Sequence, residues 1–323
     1  MSARVADAVA ALRRGEVIGL PTETVYGQAA DAGNAEAVAR IFALKGRPAD
    51  HPLIVHVAGA EQLGDFCRAL PAAAQALARA FWPGPLTLIL PRGPSVPDVV
   101  TGGQDSVGLR CPAHPLALEL LQAFGGGLAA PSANRFGHIS PTTAAHVHGE
   151  FGTAVPIVLD GGECEVGIES TIVDLVSARP RILRPGRITR EQIEAVLGAG
   201  VEDAPGADSP RASGTLEAHY APRTPMLLLA REAMEREAVQ QRALGQRVAL
   251  LALGALPEGF AGEALPEQAQ GYAHGLYAAL RALDAGGAHL LLVQRPPEAR
   301  EWLAVNDRLR RAAAGAAPVF DSP

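Results

Sequence analysis

The chain of 323 residues is long enough for two domains, and its hydrophobic and charged fractions, 48% and 19%, are typical of a globular protein. The net charge of −6 opposes non-specific binding to nucleic acid or to anionic membranes. The longest apolar runs fall short of the ~20 residues that span a bilayer, and no signal-peptide pattern is present, so a cytoplasmic protein without a membrane segment is expected.

The first 200 residues alternate between helical and strand-like patterns. A helix capped by Ser2 is predicted to end near Arg14. Further helices are predicted over 36–44, 71–81 and 115–124. Strands are predicted over 17–20, 53–57, 86–90, 107–110, 128–130, 157–159 and 171–175. This alternation predicts an α/β domain over residues 1–200, with turn-rich polar segments such as 21–27 at the ends of its strands.

Residues 201–222 are predicted to be an interdomain linker, because Gly, Pro, Asp and Ala dominate its first half and apolar periodicity is lost there. Beyond it, residues 223–323 are predicted to form a smaller α/β domain. Its strands are expected over 226–229, 248–253 and 289–293, and its helices over 272–283 and 301–314.

The three cysteines are expected to be small buried side chains. Cys67, Cys111 and Cys164 lie far apart, and no two of them form a Cys-x-x-Cys pair. An odd number of widely spaced cysteines is typical neither of a disulfide framework nor of a thiolate zinc site.

Lysine is nearly absent from the chain, since Lys45 is the single lysine among 28 basic side chains. A Walker A loop needs a lysine between Gly and Ser or Thr, but Gly46 and Arg47 follow Lys45, so P-loop phosphate binding is excluded. Two interpretations stay open. Lys45 survived by chance under a codon bias that favours arginine, or the position needs a compact ammonium that binds phosphate as a point charge.

Three local patterns are given non-catalytic interpretations. Gly125–Ala130 matches the G-x-G-x-x-A dinucleotide pattern, but a helix precedes it and a strand follows, so a helix C-cap and turn is predicted. His146 and His148 lack further ligands and are expected to face opposite sides of an extended segment. No G-x-S-x-G surrounds any serine, which argues against a serine hydrolase.

Five arginines occur without an intervening acid between residues 179 and 190. They fit either an RNA-facing strip or a solvated edge around one functional arginine, and the acidic net charge favours the second.

Short polar clusters lie at the predicted strand ends, and three of them contain fixed cations. They are Thr22–Thr24, Lys45–Pro48, His51–His56, Ser106–Arg110, Pro131–Asn134, Ser140–Thr142, Glu169–Thr171 and Leu183–Gly186. Cations among hydroxyls and amides suit a triphosphate held beside a small zwitterion, whose carboxylate an arginine can bind with two hydrogen bonds. Each cluster alone also fits ordinary turn and cap residues.

Together and in this order, the clusters resemble the Sua5/YrdC/YciO family. The most specific elements are Pro21-Thr-Glu-Thr-Val-Tyr-Gly27, Lys45-Gly-Arg-Pro48, His51-Pro-Leu-Ile-Val-His56, Trp82-Pro-Gly-Pro-Leu-Thr87, Pro131-Ser-Ala-Asn134 and Glu169-Ser-Thr171. The resemblance covers nearly all of the chain. Ser213–Pro222, which ends in His-Tyr-Ala-Pro, and Val305–Arg308 resemble Sua5-type rather than single-domain YrdC members. One departure is Gly27-Gln-Ala-Ala30, where relatives usually carry Gly-Leu-Gly.

The resemblance implies a fold and an activity. It implies a YrdC-like twisted mixed sheet with helices, joined by an ordered linker to a Rossmann-like α/β C-terminal domain. The implied reaction condenses L-threonine, bicarbonate or CO2, and ATP to L-threonylcarbamoyladenylate and pyrophosphate, with Mg2+ accompanying the ATP and no metal held by protein side chains. The product would pass to the tRNA threonylcarbamoyl transferase machinery for modification of adenosine 37, and direct tRNA binding would not be required.

The resemblance also implies roles for individual residues. Lys45, Arg47, Ser132 and Asn134 would surround the reacting phosphate. The remaining contacts to ATP would come from His51, Ser106, Ser140, Arg184, His219 and Tyr220. L-threonine would be held by Thr24, His56, Arg110, the Ala130 backbone and Ser170. His219 and Tyr220 on the linker would close over the site and exclude water, because a carbamate and a mixed anhydride are both labile in water.

Two alternatives from other classes stay open. A YciO-like RNA-binding or regulatory module would keep the fold and a basic groove without ATP turnover. A carbamoyl transferase that uses carbamoyl phosphate would resemble the YrdC-like domain of hydrogenase maturation factors. The linker and second domain argue against both by analogy.

Overall fold

The computed structural model describes residues 2–203, 206 and 209–316. It divides into two compact units: unit 1 is Met1–Phe136 with Pro141–Thr215, and unit 2 is Gly137–Ser140 with Leu216–Pro323. Residues 204, 205, 207 and 208 of the predicted linker, and 317–323 of the predicted second domain, lie outside the described residues.

The described helices and strands of unit 1 alternate along the chain. The helices are α1 (Ala3–Arg13), α2 (Ala35–Lys45), α3 (Leu63–Phe66), α4 (Ala72–Phe81), α5 (Asp98–Thr101), α6 (Pro115–Phe124), α7 (Ala144–Phe151) and α8 (Arg190–Leu197), with 3-10 turns at Ala60–Gln62 and Gly152–Ala154. The strands are β1 (Ile18–Leu20), β2 (Gly27–Asp31), β3 (Ile54–His56), β4 (Leu86–Pro91), β5 (Ser106–Arg110), β6 (Leu128–Ala129), β7 (Thr171–Asp174) and β8 (Arg181–Arg184).

These strands form one mixed sheet in the order β1-β2-β6-β3-β5-β4-β7-β8. The neighbours β3/β5 and β4/β7 are parallel, and the other pairs are antiparallel. Buried side chains of α2 and α4 pack in one core cluster, and those of α1 and α6 pack in another. The predicted α/β class with a mixed sheet is confirmed.

Local signals explain the helices that frame the sheet. The Ser2 side chain accepts a hydrogen bond from the Val5 N–H at 3.4 Å and caps α1, as expected from the sequence. Asn34 caps α2 by accepting from the Glu36 and Ala37 N–H groups, each at 3.1 Å. Gly125 ends α6 in the left-handed region at φ 78°, and β6 follows, so the predicted helix C-cap is confirmed.

Several sequence predictions were wrong or incomplete. Residues 157–159 do not form a strand; Val158 makes a single bridge to Gly19. His146 and His148 lie on helix α7 and not on an extended segment. In unit 1 the sequence did not predict β2, β8, α7 or α8. The three cysteines are buried and free, as predicted.

Unit 2 contains a four-stranded sheet in the order β11-β10-β12-β9, in which all pairs are parallel. Its elements are β9 (Met226–Leu229), α9 (Arg231–Ala243), β10 (Val248–Leu253), β11 (Gly262–Leu265), α10 (Ala269–Ala285), β12 (Leu290–Gln294), a 3-10 turn at Arg300–Trp302 and α11 (Leu303–Gly315). The sequence did not predict α9 or β11. No helix in the described part of the chain is long and apolar enough to cross a membrane.

Candidate active site

Two buried cations lie at the end of α2. Lys45 is the last residue of the helix, and Gly46 adopts a left-handed conformation at φ 63°, which turns the chain so that Arg47 follows directly. Lys45 is 3% exposed and Arg47 is 9% exposed. The Lys45 Nζ donates to the backbone oxygens of Ser132 and Asn134. Burial, with the nearby Arg47 charge, holds the pKa of Lys45 well below its usual value.

The segment that accepts from Lys45 follows β6 and runs beside the start of β2. The Ala133 N–H donates to the Tyr26 oxygen, and the Gln28 N–H donates to the Pro131 oxygen, each at 2.8 Å. Ser132 is half-buried, and Asn134 is buried with its Nδ2 donating to the Arg135 oxygen at 2.8 Å. The structure thus brings together Lys45, Ser132 and Asn134 from distant parts of the sequence.

The Arg47 side chain connects to a second group of polar residues. Its Nη2 donates to the Pro52 oxygen at 3.0 Å, and the Ser213 Oγ donates to the same oxygen at 2.7 Å. The Ser213 carbonyl in turn accepts from Arg184 Nη1 at 2.9 Å. A continuous chain of hydrogen bonds therefore joins Arg47 to Arg184.

Arg184 is buried and holds Ser170. Its Nε donates to the Ser170 carbonyl at 3.0 Å and its Nη2 to the Ser170 Oγ at 3.1 Å. The Ser170 and Thr87 hydroxyls lie 2.8 Å apart. Other arginines of the run form ion pairs nearer the surface, such as Arg181 with Glu202 at 2.6 Å. This favours the solvated-edge interpretation of the run over an RNA-facing strip.

Arg110 and His56 lie side by side at the carboxyl ends of β5 and β3, where they are register partners. Arg110 Nη2 donates to Glu23 Oε1 at 2.7 Å, and the Ala113 N–H donates to Glu23 Oε2 at 3.0 Å. Arg110 and Glu23 are 4% and 6% exposed, so this is a buried ion pair. Sequence reasoning did not name Glu23 as a site residue, although it is the one acid within the polar segment 21–27.

His56 is a neutral imidazole at physiological pH. Burial first, and the neighbouring Arg110 charge second, lower the pKa of His56 to about 3. Within the described part of the chain, its Nδ1 has no hydrogen-bond partner. Thr24 is fully buried, with its hydroxyl 2.9 Å from that of Thr22. Ala130 is buried, and its N–H donates to the Ile54 oxygen at 3.0 Å.

His51 and Ser106 are two further predicted site residues that lie in unit 1. The His51 ring is 5.3 Å from the Phe136 ring, over which the Arg47 guanidinium also lies, at 5.6 Å. Partial burial, with Arg47, lowers the pKa of His51. Ser106 begins β5 and lines a small cavity together with Ser213.

Three of the predicted site residues belong to unit 2. The Ser140 carbonyl accepts from Arg281 Nε at 3.2 Å. His219 and Tyr220 are buried, with their rings 4.1 Å apart in an edge-on arrangement. The other predicted site residues lie in unit 1.

These features define a class of protein: an α/β protein whose first unit contains buried cations suited to a polyphosphate, and also a neutral histidine, hydroxyls and an arginine suited to a small carboxylate. Comparison with known proteins names the family. The protein-family model Sua5_yciO_yrdC, described as "Telomere recombination", matches residues 10–186. The model Sua5_C, described as "Threonylcarbamoyl-AMP synthase, C-terminal domain", matches residues 188–314. The chain belongs to the Sua5/YciO/YrdC family, as its motifs predicted.

Relatives extend over nearly the whole chain. The threonylcarbamoyl-AMP synthases of Pyrococcus abyssi and Bacillus subtilis are each 39% identical to it, over 93% and 97% of this chain and 91% and 93% of their own. The crystal structure of Sua5 from P. abyssi complexed with L-threonine superimposes with a TM-score of 0.91 at 38% identity, covering 97% of this chain and 95% of that one.

Proposed function

We propose that this chain is an L-threonylcarbamoyladenylate synthase, a nucleotidyltransferase that condenses L-threonine, bicarbonate or CO2, and ATP. The observation that carries the proposal is the buried Lys45–Arg47 pair, held in the same unit as the His56–Arg110 pair. The names of the full-length relatives and the threonine complex of the P. abyssi protein support it.

The triphosphate would bind at Lys45 and Arg47, with Ser132 and Asn134 around the reacting phosphate. Lys45 donates to two neutral carbonyls, so a negative ligand would stabilise its desolvated ammonium. His51, Ser106, Ser140, Arg184, His219 and Tyr220 are the further nucleotide contacts that we propose.

L-threonine would bind where β3 and β5 end. Arg110 Nη2 carries two hydrogens and Glu23 accepts one of them, so the guanidinium keeps donors for the threonine carboxylate. Glu23 would then fix the orientation of Arg110. Neutral His56 adds no second cation beside Arg110, and Thr24, Ser170 and the Ala130 backbone would complete the site.

The chemistry follows from this arrangement. The neutral threonine amine would attack CO2 and lose a proton to solvent, which gives a carbamate. A carbamate oxygen would then attack the α-phosphorus and break its bond to the bridging oxygen of the departing pyrophosphate. Lys45 and Arg47 would neutralise charge on the phosphates, so catalysis is mostly positioning and electrostatics.

Mg2+ would enter with ATP. The described residues contain no group of three His, Cys, Asp or Glu side chains placed to hold a metal ion. An Mg2+ ion that is held mainly by the phosphates and water, as is common, would need no such group. Its chemistry would be to neutralise the departing pyrophosphate.

The product is labile in water, so the site must exclude water and the product must pass quickly to the enzyme that uses it. We propose that His219 and Tyr220 exclude water and that the product passes to a tRNA threonylcarbamoyl transferase, without direct tRNA binding by this chain. A cytoplasmic location remains a prediction from the sequence.

The test is an incubation of the protein with ATP, Mg2+, L-threonine and bicarbonate. We expect pyrophosphate release that depends on all of them and a product with the mass of threonylcarbamoyladenylate. Salt-sensitive RNA binding without ATP turnover would support the YciO-like alternative instead, and consumption of carbamoyl phosphate would support the carbamoyl transferase.

A further inference from the structure

The segment 216–221, which contains His219 and Tyr220, lies along α11 in unit 2. The His219 N–H donates to the Arg311 carbonyl at 3.2 Å, and Arg311 Nη1 donates to the Leu216 carbonyl. A Cβ added to Gly315 would lie 2.8 Å from the Ala221 Cβ, so glycine is needed for this close approach. Helix α11 therefore holds the segment at both of its ends.

The other chain segment of unit 2 is held with it. The Ala221 N–H donates to the Gly137 carbonyl at 2.8 Å, and His138 forms a bridge with Ala221. Arg281 on α10 donates to the Ile139 carbonyl and, at 3.2 Å, to the Ser140 carbonyl. Residues 137–140 and 216–221 thus form one layer that is bonded to α10 and α11.

Tyr220 has an unusual backbone within this layer. Its φ is +62°, and among the described residues no other non-glycine residue has a positive φ. An aromatic residue keeps this conformation only where its surroundings determine it. Tyr220 is 1% exposed, so contacts to its buried side chain can fix this backbone conformation.

Arg308 on α11 provides one contact to this side chain, and the Tyr277 ring, 5.8 Å away, provides another. The Arg308 side chain is fully buried, and its guanidinium lies over the Tyr220 ring, 5.3 Å from the ring centre. Arg308 Nη1 pairs with Asp307 Oδ2 at 2.7 Å, and the other Asp307 oxygen pairs with Arg311 at 3.0 Å. A buried ion pair is weak evidence for stability, because desolvation offsets most of its attraction, so a positioning role is the better explanation for this one.

We propose that Arg308 is a positioning residue for Tyr220: through its guanidinium, which lies over the ring, it holds Tyr220 in its left-handed backbone conformation and so fixes the orientation of the neighbouring His219. This role rests on the proposed function, since it is the proposed ATP site that needs His219 and Tyr220. Unit 2 would then have a specific task, which is to hold the segment 216–221 in a strained backbone conformation.

The main variant is Arg308→Met, and its matched control is Arg310→Met. Methionine fills much of the space of the arginine stem, and Asp307 keeps its pair with Arg311, so no buried charge is left unpaired. Arg310 lies on the same helix and is exposed.

The first readout is structural and needs no activity. Chymotrypsin cleaves after tyrosine, and we expect cleavage after Tyr220, identified by mass spectrometry, in folded Arg308→Met but not in the parent protein or in Arg310→Met. If Arg308→Met does not fold, Arg308→Lys, which keeps the charge but loses the planar contact, is tested in the same way. A folded variant that resists cleavage after Tyr220 as the parent does would overturn the proposal.

The second readout is kinetic. In Arg308→Met, kcat/KM for ATP should fall about tenfold, the range expected for a desolvated cation–π contact, while KM for threonine stays unchanged because the proposed threonine residues lie in unit 1. In a Tyr220→Ala background, Arg308→Met should cause no further loss. Losses that multiply in the double variant would overturn the proposal. If the parent protein makes no adenylate, the proposed function fails, whereas the proteolysis result still decides whether Arg308 holds Tyr220.

Discussion

At the scale of single residues, the surroundings of Lys45 explain why this one lysine stands among arginines. Its ammonium is enclosed by the Ser132 and Asn134 carbonyls, and only 3% of the residue is exposed. A guanidinium is larger and planar, so it cannot occupy this space without displacing the carbonyls. The structure therefore favours the need for a compact ammonium over chance survival.

We predict that Lys45→Ala abolishes adenylate formation and that Lys45→Arg keeps less than about one hundredth of kcat/KM for ATP, the size of effect seen when one donor to a developing charge is lost. Pyrophosphate release measures both. Arg13→Lys on the exposed face of α1 is the control and should leave activity unchanged. Near-parent turnover in Lys45→Arg would refute the argument for a point charge.

The lowered pKa of Lys45 also predicts a pH dependence. Since burial and Arg47 lower the pKa in the empty site, while bound phosphates favour the ammonium, ATP binding takes up a proton once the pH exceeds that lowered pKa. The kcat/KM for ATP should then fall as pH rises, by up to about tenfold per pH unit. In Lys45→Arg the residual activity should not show this fall with rising pH, because a guanidinium stays protonated. A flat profile in the parent protein would contradict the prediction.

Gln28 is a polar residue within the sheet of unit 1. It is fully buried on β2, and neither polar atom of its amide has a hydrogen-bond partner among the described residues. We predict that Gln28→Leu stabilises unit 1 by about 1–3 kcal/mol, because the desolvation penalty of the amide is removed. Urea unfolding measures this, and Gln75→Leu at an exposed position of α4 should change it little. A destabilised Gln28→Leu would show that the amide has a partner, such as a buried water.

At the scale of elements, most apolar runs were predictable as strands, and strands built of small or polar residues were not. The run Leu86–Pro91 is a strand as its pattern indicates. Strand β2 reads Gly-Gln-Ala-Ala-Asp, which lacks β-branched residues, and becomes a strand because β1 and β6 pair with it on both sides. Strand β8 begins and ends with arginine, and its register against β7 is irregular.

Some site residues were predictable from motifs, whereas the contacts between distant residues were not. Motifs placed Lys45, Arg47 and Asn134 among the candidates, but the pairing of Glu23 with Arg110 joins residues 87 apart in sequence, and only the sheet brings them together. The His146–His148 pair was misplaced because an alternating polar pattern over three residues cannot distinguish a strand from a helix; the cap at Thr143, whose side chain accepts from the His146 N–H, begins α7.

Gly186 follows β8 by two residues and packs closely against the start of β7. A Cβ there would lie 2.4 Å from the Thr171 nitrogen and 2.8 Å from the Ser170 carbonyl carbon. We predict that Gly186→Ala separates β8 from β7, breaks the Arg184–Ser170 hydrogen bonds, destabilises unit 1 by about 1–3 kcal/mol and raises KM for threonine. Gly149→Ala on α7 meets nothing within 4 Å and is the control, expected to be neutral or slightly stabilising. Unchanged threonine kinetics in Gly186→Ala would separate Ser170 from the threonine site.

At the scale of the whole molecule, the two substrates depend differently on the two units. The residues proposed for threonine lie in unit 1, whereas those proposed for ATP include Ser140, His219 and Tyr220 of unit 2. Each unit has its own apolar core, with Leu88 and Val173 in that of unit 1 and Met234 and Leu292 in that of unit 2. Loss of unit 2 should therefore separate threonine binding from ATP chemistry.

A truncated chain of residues 1–215, which keeps only residues 137–140 of unit 2 and lacks His219 and Tyr220, makes this separation measurable. We predict that it folds cooperatively, because its core clusters are internal to it, and that its threonine affinity by calorimetry stays within about threefold of that of the full chain. Its kcat/KM for ATP should fall about a hundredfold, because the residues proposed to exclude water are gone and a labile carbamate is left exposed. Circular dichroism and a urea transition establish that the truncated chain is folded before either measurement. Full-rate, threonine-dependent pyrophosphate release by residues 1–215 would show that unit 1 alone protects the intermediate, and the task of unit 2 would then lie outside catalysis.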